Sequence, residues 1–308
     1  MGFRIAVVGS GAIGSYYGAK LAHAGSDVHF LMRGDLGEVR RDGIFVRGER
    51  ENFRVAKINC YNSTKEIGAC DLVIIAVKAT SNSDLVELVP PLLHEQTMLL
   101  TLQNGLGNDE FLAEHFGAER VLGGLCFIAL NRISRTEIAR YAYGHIVLGE
   151  FGRTSQPRTR EVAAQFTRAE VICTATDDLA LERWGKLIWN IPLNGLSILA
   201  GGIDTAAIIA DKDLREVTLA LMAEVITAAN KCGQALPSDA WRVHMERTEG
   251  MGAYKPSTLL DWEAGRRLEI EPIWGEPSRR ARAAGGQMPR TEMMYALLKQ
   301  LDEGLRSR

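Results

Sequence analysis

Residues 3–14 read Phe3-Arg4-Ile5-Ala6-Val7-Val8-Gly9-Ser10-Gly11-Ala12-Ile13-Gly14, and this stretch decides the fold. Its first half has the apolar character of a short buried strand, and a helix-compatible stretch runs on from Ala12 to Ala24. Three glycines between a strand and a helix form a turn that brings bare backbone close to the pyrophosphate of a dinucleotide. The helix N-terminus adds unpaired N–H groups and a partial positive charge. The stretch therefore predicts a dinucleotide-binding unit in which residues 9–14 contact the cofactor; the alternative is an ordinary tight turn.

Length and composition limit the classes of function. The chain has 308 residues, which is too long for one typical core, so we expect two domains. A net charge of −2 provides no basic field for nucleic acid and no polybasic anchor for a membrane surface. The longest apolar run, 72–77, is far shorter than the roughly 20 residues that span a bilayer. We therefore expect neither a nucleic-acid nor a membrane partner.

The cysteines and histidines give no indication of a metal centre. Five cysteines are widely scattered and form no CxxC pair, so neither a zinc site nor a redox motif is predicted. An odd, sparse set of this kind is typical of reduced thiols in the cytoplasm. The six histidines show neither HxxxH nor HExxH spacing, and no metal ligand is predicted among them.

The first half of the chain alternates strand-like and helix-like segments, which indicates a mostly parallel sheet with crossover helices. Residues 43–47 and 53–58 look like a hairpin insertion, and 158–168 like a helix. The other strands are predicted at 27–32, 71–77, 97–103, 121–129, 138–143, 146–148 and 171–174. Residues 72–77 are continuously apolar, as in a strand that is buried on both faces.

From about Asp178 onward nearly every segment shows helical spacing, and Asp211 and Asp213 stand where helix caps are favoured. We therefore predict an α/β protein with a Rossmann-type, doubly wound parallel sheet in residues 1–177. An all-helical domain is predicted for residues 178–308.

The end of the second predicted strand bears on the choice of cofactor. In this kind of sheet an acidic residue there suits NAD, whereas an arginine suits the extra 2′-phosphate of NADP. The strand ends Leu31-Met32-Arg33-Gly34, with no carboxylate before Asp35. Because a guanidinium group binds phosphate through two parallel hydrogen bonds, we predict NADP(H) binding through Arg33. The alternative is a solvated surface arginine.

Two further motifs are more specific than the glycine turn. One is Lys186-Leu-Ile-Trp-Asn190-Ile-Pro-Leu-Asn194, and the other runs from Lys255-Pro-Ser257 through Asp261 and Glu269 to Gly275. With Val77-Lys78-Ala79 and Gln103-Asn104-Gly105, they make the chain resemble the ketopantoate reductase (2-dehydropantoate 2-reductase) family over essentially its whole length.

The resemblance implies a role for each matched residue. Lys186 would be the catalytic lysine and Glu269 its acidic partner in the active site. The substrate's carboxylate and hydroxyl groups would be held by Asn190, Asn194 and Ser257. Cofactor contacts would come from Lys78, near the phosphates, and from Asn104, at the nicotinamide end. Members of the family reduce ketopantoate to pantoate with NADPH, towards pantothenate and coenzyme A. The implied partner is thus a small 2-oxo acid, and a homodimer is left open.

The residue types suit that chemistry. Reduction of a 2-oxo acid needs a hydride and a proton, and a lysine ammonium both polarises the carbonyl and donates the proton. On a helix, positions 186, 190 and 194 drift by only about 40° per step and so share one face. Pro192 removes a backbone hydrogen bond there and favours a bend. We expect the site in the cleft between the domains, outside the carboxyl ends of the strands.

Other interpretations of these residues stay open. Lys186 could be a surface lysine and Glu269 a carboxylate on a solvated helix face. Asp261 and Arg266 are interpreted as an ion pair of the scaffold, although Arg266 could instead contact a substrate carboxylate.

Three residues depart from the family pattern at positions expected to border the substrate: Tyr254, Thr258 and Leu268. Tyr254 and Leu268 keep open a related NADP-dependent dehydrogenase that acts on another hydroxy acid. A protein that senses NADPH without catalysis is the remaining alternative, since a fold alone does not establish function. The full set of polar substrate-binding residues argues against it.

Overall fold

The structure is a computed structural model that describes residues 2–49 and 51–306. These residues form two compact units. The second unit contains the described residues from Ala180 onward together with Asn104–Gly107, and the first contains the others. The segment Asn104–Gly107 thus belongs with the C-terminal unit, an association that the sequence pattern did not indicate.

The first unit is built on one sheet, which has ten strands within the described residues. They are β1 (Arg4–Val8), β2 (Asp27–Leu31), β3 (Ile44–Gly48), β4 (Asn52–Val55), β5 (Asn59–Tyr61), β6 (Leu72–Ile75), β7 (Met98–Thr101), β8 (Val121–Arg132), β9 (Glu137–Glu150) and β10 (Cys173–Ala175). Their order is β4-β3-β9-β8-β7-β6-β1-β2-β5, and β10 pairs with β9. The series β5-β2-β1-β6-β7-β8 is parallel throughout. That order is the doubly wound dinucleotide-binding one, which confirms the predicted fold class.

The predicted hairpin is confirmed, because β3 and β4 pair antiparallel with Ile44 opposite Val55. The strands predicted at 138–143 and 146–148 are one strand, β9. The interruption in the pattern corresponds to an irregularity, since Tyr143 and Gly144 adopt φ values of 57° and 135°. The pairing register with β8 shifts nearby, between Phe127 and Ile128. The prediction was wrong there because a bulge leaves a residue unpaired without ending the strand.

Helices cover both faces of the sheet, as the continuous apolar runs predict. They are α1 (Ala12–His23), α2 (Leu36–Asp42), α3 (Thr64–Ile67), α4 (Asn82–Leu88), α5 (Asn108–Phe116) and α6 (Pro157–Arg168), with 3₁₀ turns at Ala79–Ser81, Pro90–Leu92 and Ala118–Arg120. Successive residues of β1 belong to different cores: Val7 packs with Tyr17 of α1 and Phe166 of α6, and Val8 with Leu85 of α4. This central strand is therefore buried from both sides.

The second unit is helical. Its helices are α7 (Leu179–Leu199), α8 (Thr205–Ala210), α9 (Lys212–Lys231), α10 (Trp241–Met251), α11 (Ser257–Glu263), α12 (Glu276–Ala283) and α13 (Pro289–Arg306), with a π-helical turn at Glu271–Gly275. Asp211 caps α9 as predicted, accepting a hydrogen bond of 2.9 Å from Leu214 N, whereas Asp213 lies inside the first turn. None of the described helices is long and apolar enough to cross a bilayer.

Close packing fixes α7 against its neighbours. The helix continues through Pro192, and the indole Nε1 of the fully buried Trp274 donates to Ile191 O at 3.1 Å. A Cβ on Gly195 would lie 2.0 Å from Sδ of Met294, so glycine leaves the space that the Met294 side chain of α13 occupies. The π-helical turn and α13 are thereby held against the middle of α7.

Candidate active site

The glycine turn follows β1 at the point where the strand order reverses. Gly9 has φ +107°, and a Cβ there would lie 2.3 Å from Val77 N, beyond the end of β6. A Cβ on Gly14 would lie 2.0 Å from Gly9 O, which requires glycine for the close packing of helix and turn. No atom of the described residues lies within 4 Å of the position that a Cβ on Gly11 would take. Since Gly11 also stands at the N-cap of α1 without a capping side chain, the turn leaves open space and unpaired N–H groups for an anion.

Two hydroxyl groups brace this turn. Ser10 Oγ donates to Leu31 O at 2.6 Å, which ties the turn to the end of β2, and Ser15 Oγ donates to Ser10 O at 3.0 Å. Ser10 therefore has a structural contact as well as its place in the predicted cofactor loop. Together with the glycines, the residues present fit a bound dinucleotide.

Arg33 lies just past β2, with its side chain 67% exposed. Its NH2 group donates to Oδ2 of Asp84 at 2.9 Å, in the first turn of α4. An exposed pair of this kind is weak, so the guanidinium remains accessible to a stronger anion. Lys78 is exposed and precedes the 3₁₀ turn that follows β6. Both cations thus follow the carboxyl ends of strands next to β1.

Gln103 and Asn108, which flank the segment 104–107, belong to a network of side-chain hydrogen bonds that the sequence analysis did not predict. Gln103 Nε2 donates to Asn82 Oδ1 at 2.7 Å, and Asn82 Nδ2 donates to Asn108 Oδ1 at 2.9 Å. Thr101 Oγ1 donates to Gln103 Oε1 at 2.9 Å. The sequence does place polar residues at these strand ends and helix starts. Their spacing along the chain, however, does not show which of them form hydrogen bonds with one another.

In the second unit, Lys186 Nζ donates to Asn104 Oδ1 at 2.8 Å. Asn104 is held in place by the two residues that follow it. Gly105 has φ +82°, and Leu106 N donates to Pro272 O at 2.8 Å, in the π-helical turn. The structure therefore brings the predicted catalytic lysine together with the asparagine that the resemblance assigns to the nicotinamide end.

Glu269 lies two residues before this π-helical turn. It is 5% exposed, which excludes the interpretation as a carboxylate on a solvated helix face. The peptide before it is anchored, because Leu268 N donates to Oδ1 of the buried Asp302 at 2.8 Å. A buried carboxylate on a fixed backbone, close in sequence to the turn that contacts the Asn104 segment, is typical of a functional group.

The predicted substrate-binding residues differ in their contacts. Asn190 is 6% exposed, yet no described residue forms a hydrogen bond with its side-chain amide. Ser257 begins α11 and is exposed. The amide of Asn194, 2% exposed, forms hydrogen bonds within the protein through both ends, with Asn190 O and with Thr258. Asn190 and Ser257 thus present polar groups that a ligand could use.

Two titratable side chains that contact α7, His244 and Tyr254, are uncharged at pH 7. Burial, with a smaller contribution from Arg247, lowers the pKa of His244 to about 4, so this imidazole beside Gly185 is neutral at pH 7. It adds no positive charge next to Lys186. Burial also raises the pKa of Tyr254 to about 12, which keeps its hydroxyl protonated.

The predicted ion pair of the scaffold is confirmed. Arg266 Nε donates to Asp261 Oδ1 at 2.9 Å. The pair forms across five positions because α11 ends at Glu263 and Gly265, with φ +66°, turns the chain back. Arg266 N also donates to Asp261 O at 2.8 Å, so the pair closes the end of the helix.

A doubly wound sheet with a glycine turn, joined in one chain to a partly buried lysine–asparagine pair and a buried glutamate, defines a nicotinamide-dependent oxidoreductase. Family models described as "Ketopantoate reductase PanE/ApbA" and its C-terminal part match residues 5–153 and 178–302. The chain belongs to the ketopantoate reductase family.

Two relatives illustrate the similarity. A 2-dehydropantoate 2-reductase from Nostoc sp. is 36% identical, covering 97% of this chain and 95% of that protein. The solved 2-dehydropantoate 2-reductase from Geobacter metallireducens is 43% identical with a TM-score of 0.94, covering 96% and 99% of the two chains. A D-mandelate dehydrogenase with NADH, 20% identical with a TM-score of 0.89, shares the fold.

Proposed function

We propose that this protein reduces 2-dehydropantoate to pantoate with NADPH in the cytoplasm. The names of the relatives support the reaction, and a single observation carries its assignment to residues: the Lys186 ammonium is held by Asn104 at 2.8 Å in the unit that also holds Asn190, Ser257 and Glu269. In this proposal residues 1–177 bind the dinucleotide, and residues 178–308 bind the substrate and supply the acid.

The cofactor, when bound, supplies the hydride. Lys186 polarises the keto group through its ammonium and donates a proton to the oxygen as the alkoxide develops. Asn104 orients the ammonium, and Glu269 supplies the negative charge that favours its protonated form. Asn190 and Ser257 bind the substrate's carboxylate and hydroxyl groups.

We further propose that the cofactor is NADPH rather than NADH. The support is the guanidinium of Arg33, exposed past the end of β2 and engaged only weakly with Asp84. A 2′-phosphate carries more charge than that carboxylate and accepts two parallel hydrogen bonds from a guanidinium. Lys78 would lie near the other phosphates.

The test is Lys186→Ala, assayed by NADPH oxidation with 2-dehydropantoate. We expect kcat to fall by about 10² to 10⁴, the usual loss of a general acid. The Kd of NADPH, measured by fluorescence titration, should change little because Lys186 does not hold the cofactor. Turnover within a few-fold of the wild type would refute the role of Lys186.

A panel of branched 2-oxo acids tests the substrate. We expect the largest kcat/KM on 2-dehydropantoate. Higher kcat/KM on another 2-oxo acid would favour the related hydroxy-acid dehydrogenase. NADPH binding without reduction of any member would favour the sensor.

A further inference from the structure

The side-chain amide of Asn194 forms hydrogen bonds inside the protein through both its oxygen and its nitrogen. Its Oδ1 accepts hydrogen bonds from Thr258 N at 3.3 Å and from Thr258 Oγ1 at 2.9 Å. Its Nδ2 donates to Asn190 O at 3.0 Å. Asn194 and Thr258 are 2% and 3% exposed. This amide therefore joins the middle of α7 to the start of α11.

The orientation of the amide follows from its backbone partners. A backbone N–H can only donate, so Thr258 N requires the amide oxygen. A carbonyl can only accept, so Asn190 O requires the amide nitrogen. Flipping the amide would break both contacts at once. The oxygen of Asn194 is thus committed to Thr258.

The start of α11 needs this outside partner. Its N-cap residue is Pro256, which makes no capping hydrogen bond, so the first N–H groups of the helix have no local acceptor. Asn194 supplies one from another helix, as a capping side chain does elsewhere. The preceding segment is held separately, because Thr205 N and Thr205 Oγ1 donate to Tyr254 O at 2.9 and 3.1 Å. Ser257 lies between these two anchored points.

We propose that Thr258 is a positioning residue of the substrate site and that Asn194 acts through it, holding Ser257, rather than by direct contact with the substrate. This inference rests on the proposed function. Its consequence is that the Thr258 hydroxyl, a departure from the family pattern, contributes to substrate affinity although it does not reach the substrate.

The decisive variant is Thr258→Val, which removes the hydroxyl at nearly constant volume. We expect KM for 2-dehydropantoate to rise about 5- to 10-fold, the loss of one hydrogen bond, with kcat changed less than about two-fold because Lys186 is untouched. Thr258→Ser keeps the hydroxyl and should restore the wild-type KM. Asn194→Ala should raise KM further, and adding Thr258→Val to it should cause no additional rise.

Hydrogen exchange of the substrate-free protein separates positioning from contact. We expect faster amide exchange at residues 257–260 in Thr258→Val and in Asn194→Ala, since both free the start of α11. The matched control is Thr218→Val on α9, which removes a hydrogen bond of 2.8 Å from another fully buried threonine. It should lower the melting temperature without changing KM or exchange at 257–260.

Three outcomes would overturn the inference: unchanged KM in Thr258→Val, unchanged exchange in Asn194→Ala, or the same rise of KM in the Thr218 control. Hydrogen exchange needs no substrate, so it tests the hydrogen bonds between Asn194 and Thr258 independently of activity. If the wild type reduced no 2-oxo acid, that result would refute the proposed function and not this inference.

Discussion

Replacing Gly105 by alanine should disconnect Asn104 from Lys186. Gly105 has φ +82°, in the region that side chains rarely adopt. A Cβ there would lie 2.2 Å from Pro272 O and 2.4 Å from its carbonyl carbon. Both obstacles are backbone of a buried turn, so neither can rotate away.

The magnitude follows from these distances. Ordinary contact begins near 3.4 Å, so the segment has to withdraw by about 1.2 Å. If that movement falls on the hydrogen bond between Lys186 Nζ and Asn104 Oδ1, its 2.8 Å becomes about 4.0 Å, which is no longer a hydrogen bond. A misplacement of about 1 Å costs about 10²-fold in rate, so we expect kcat of Gly105→Ala to fall by about that factor.

Gly107→Ala is the matched control. Gly107 also has a positive φ, +91°, but the nearest atom to its Cβ is Glu276 Cγ at 3.5 Å. Both variants bear the cost of about 1–2 kcal/mol for a left-handed alanine, and only Gly105→Ala displaces Asn104. Steady-state NADPH oxidation and melting temperatures of both variants test the reasoning. Equal kcat values would refute it.

Three further predictions concern the first unit. Arg33→Ala should lower the NADPH-to-NADH ratio of kcat/KM by about 10- to 100-fold, the loss of a charged contact, and an unchanged ratio would contradict it. Burial raises the pKa of Glu150, but hydrogen bonds from Arg158 and other donors outweigh it and lower the net pKa. The carboxylate's stabilising contribution is thus present above the unfolded pKa near 4.3 and is lost as the pH falls further. Glu150→Gln should lower the free energy of unfolding in urea by about 3 kcal/mol at pH 7 and by less at pH 3. A difference that does not depend on pH would count against this. Burial raises the pKa of Cys70 to about 11 and that of Cys173 to about 12. Alkylation of both thiols at pH 8, followed by mass spectrometry, should therefore be at least about 100-fold slower than that of free cysteine. Alkylation of either thiol at the rate of free cysteine would contradict this.

The sheet could be predicted from the sequence because each strand leaves a local pattern. Residues 72–77 had to be buried on both faces, and Leu72–Ile75 is fully buried at the centre of the sheet. The short edge strand β5 was missed because three residues carry no period. The bulge at Tyr143 was taken for a gap because one unpaired residue interrupts the alternation.

The site residues could be named from the sequence, but their supports could not. Leu106 N donates a hydrogen bond to Pro272 O, more than 160 positions away, and neither residue has a polar side chain from which the contact could be predicted. The backbone just before the buried Glu269 is anchored by the hydrogen bond from Leu268 N to Asp302, which no motif contains. Such contacts depend on how helices pack, and spacing along the chain does not encode them.

The three departures from the family pattern change their meaning once their contacts are known. Leu268 is 2% exposed and belongs to the helical core, and the Thr258 hydroxyl donates a hydrogen bond to Asn194 Oδ1. Tyr254 places its ring centroid 6.2 Å from that of Trp189. Each of the three residues thus contacts another residue of the second unit, so that a substitution there directly alters the packing of that unit. The residues of the predicted substrate-binding set whose side chains form no hydrogen bond with a described residue are Asn190 and Ser257, and both match the family pattern.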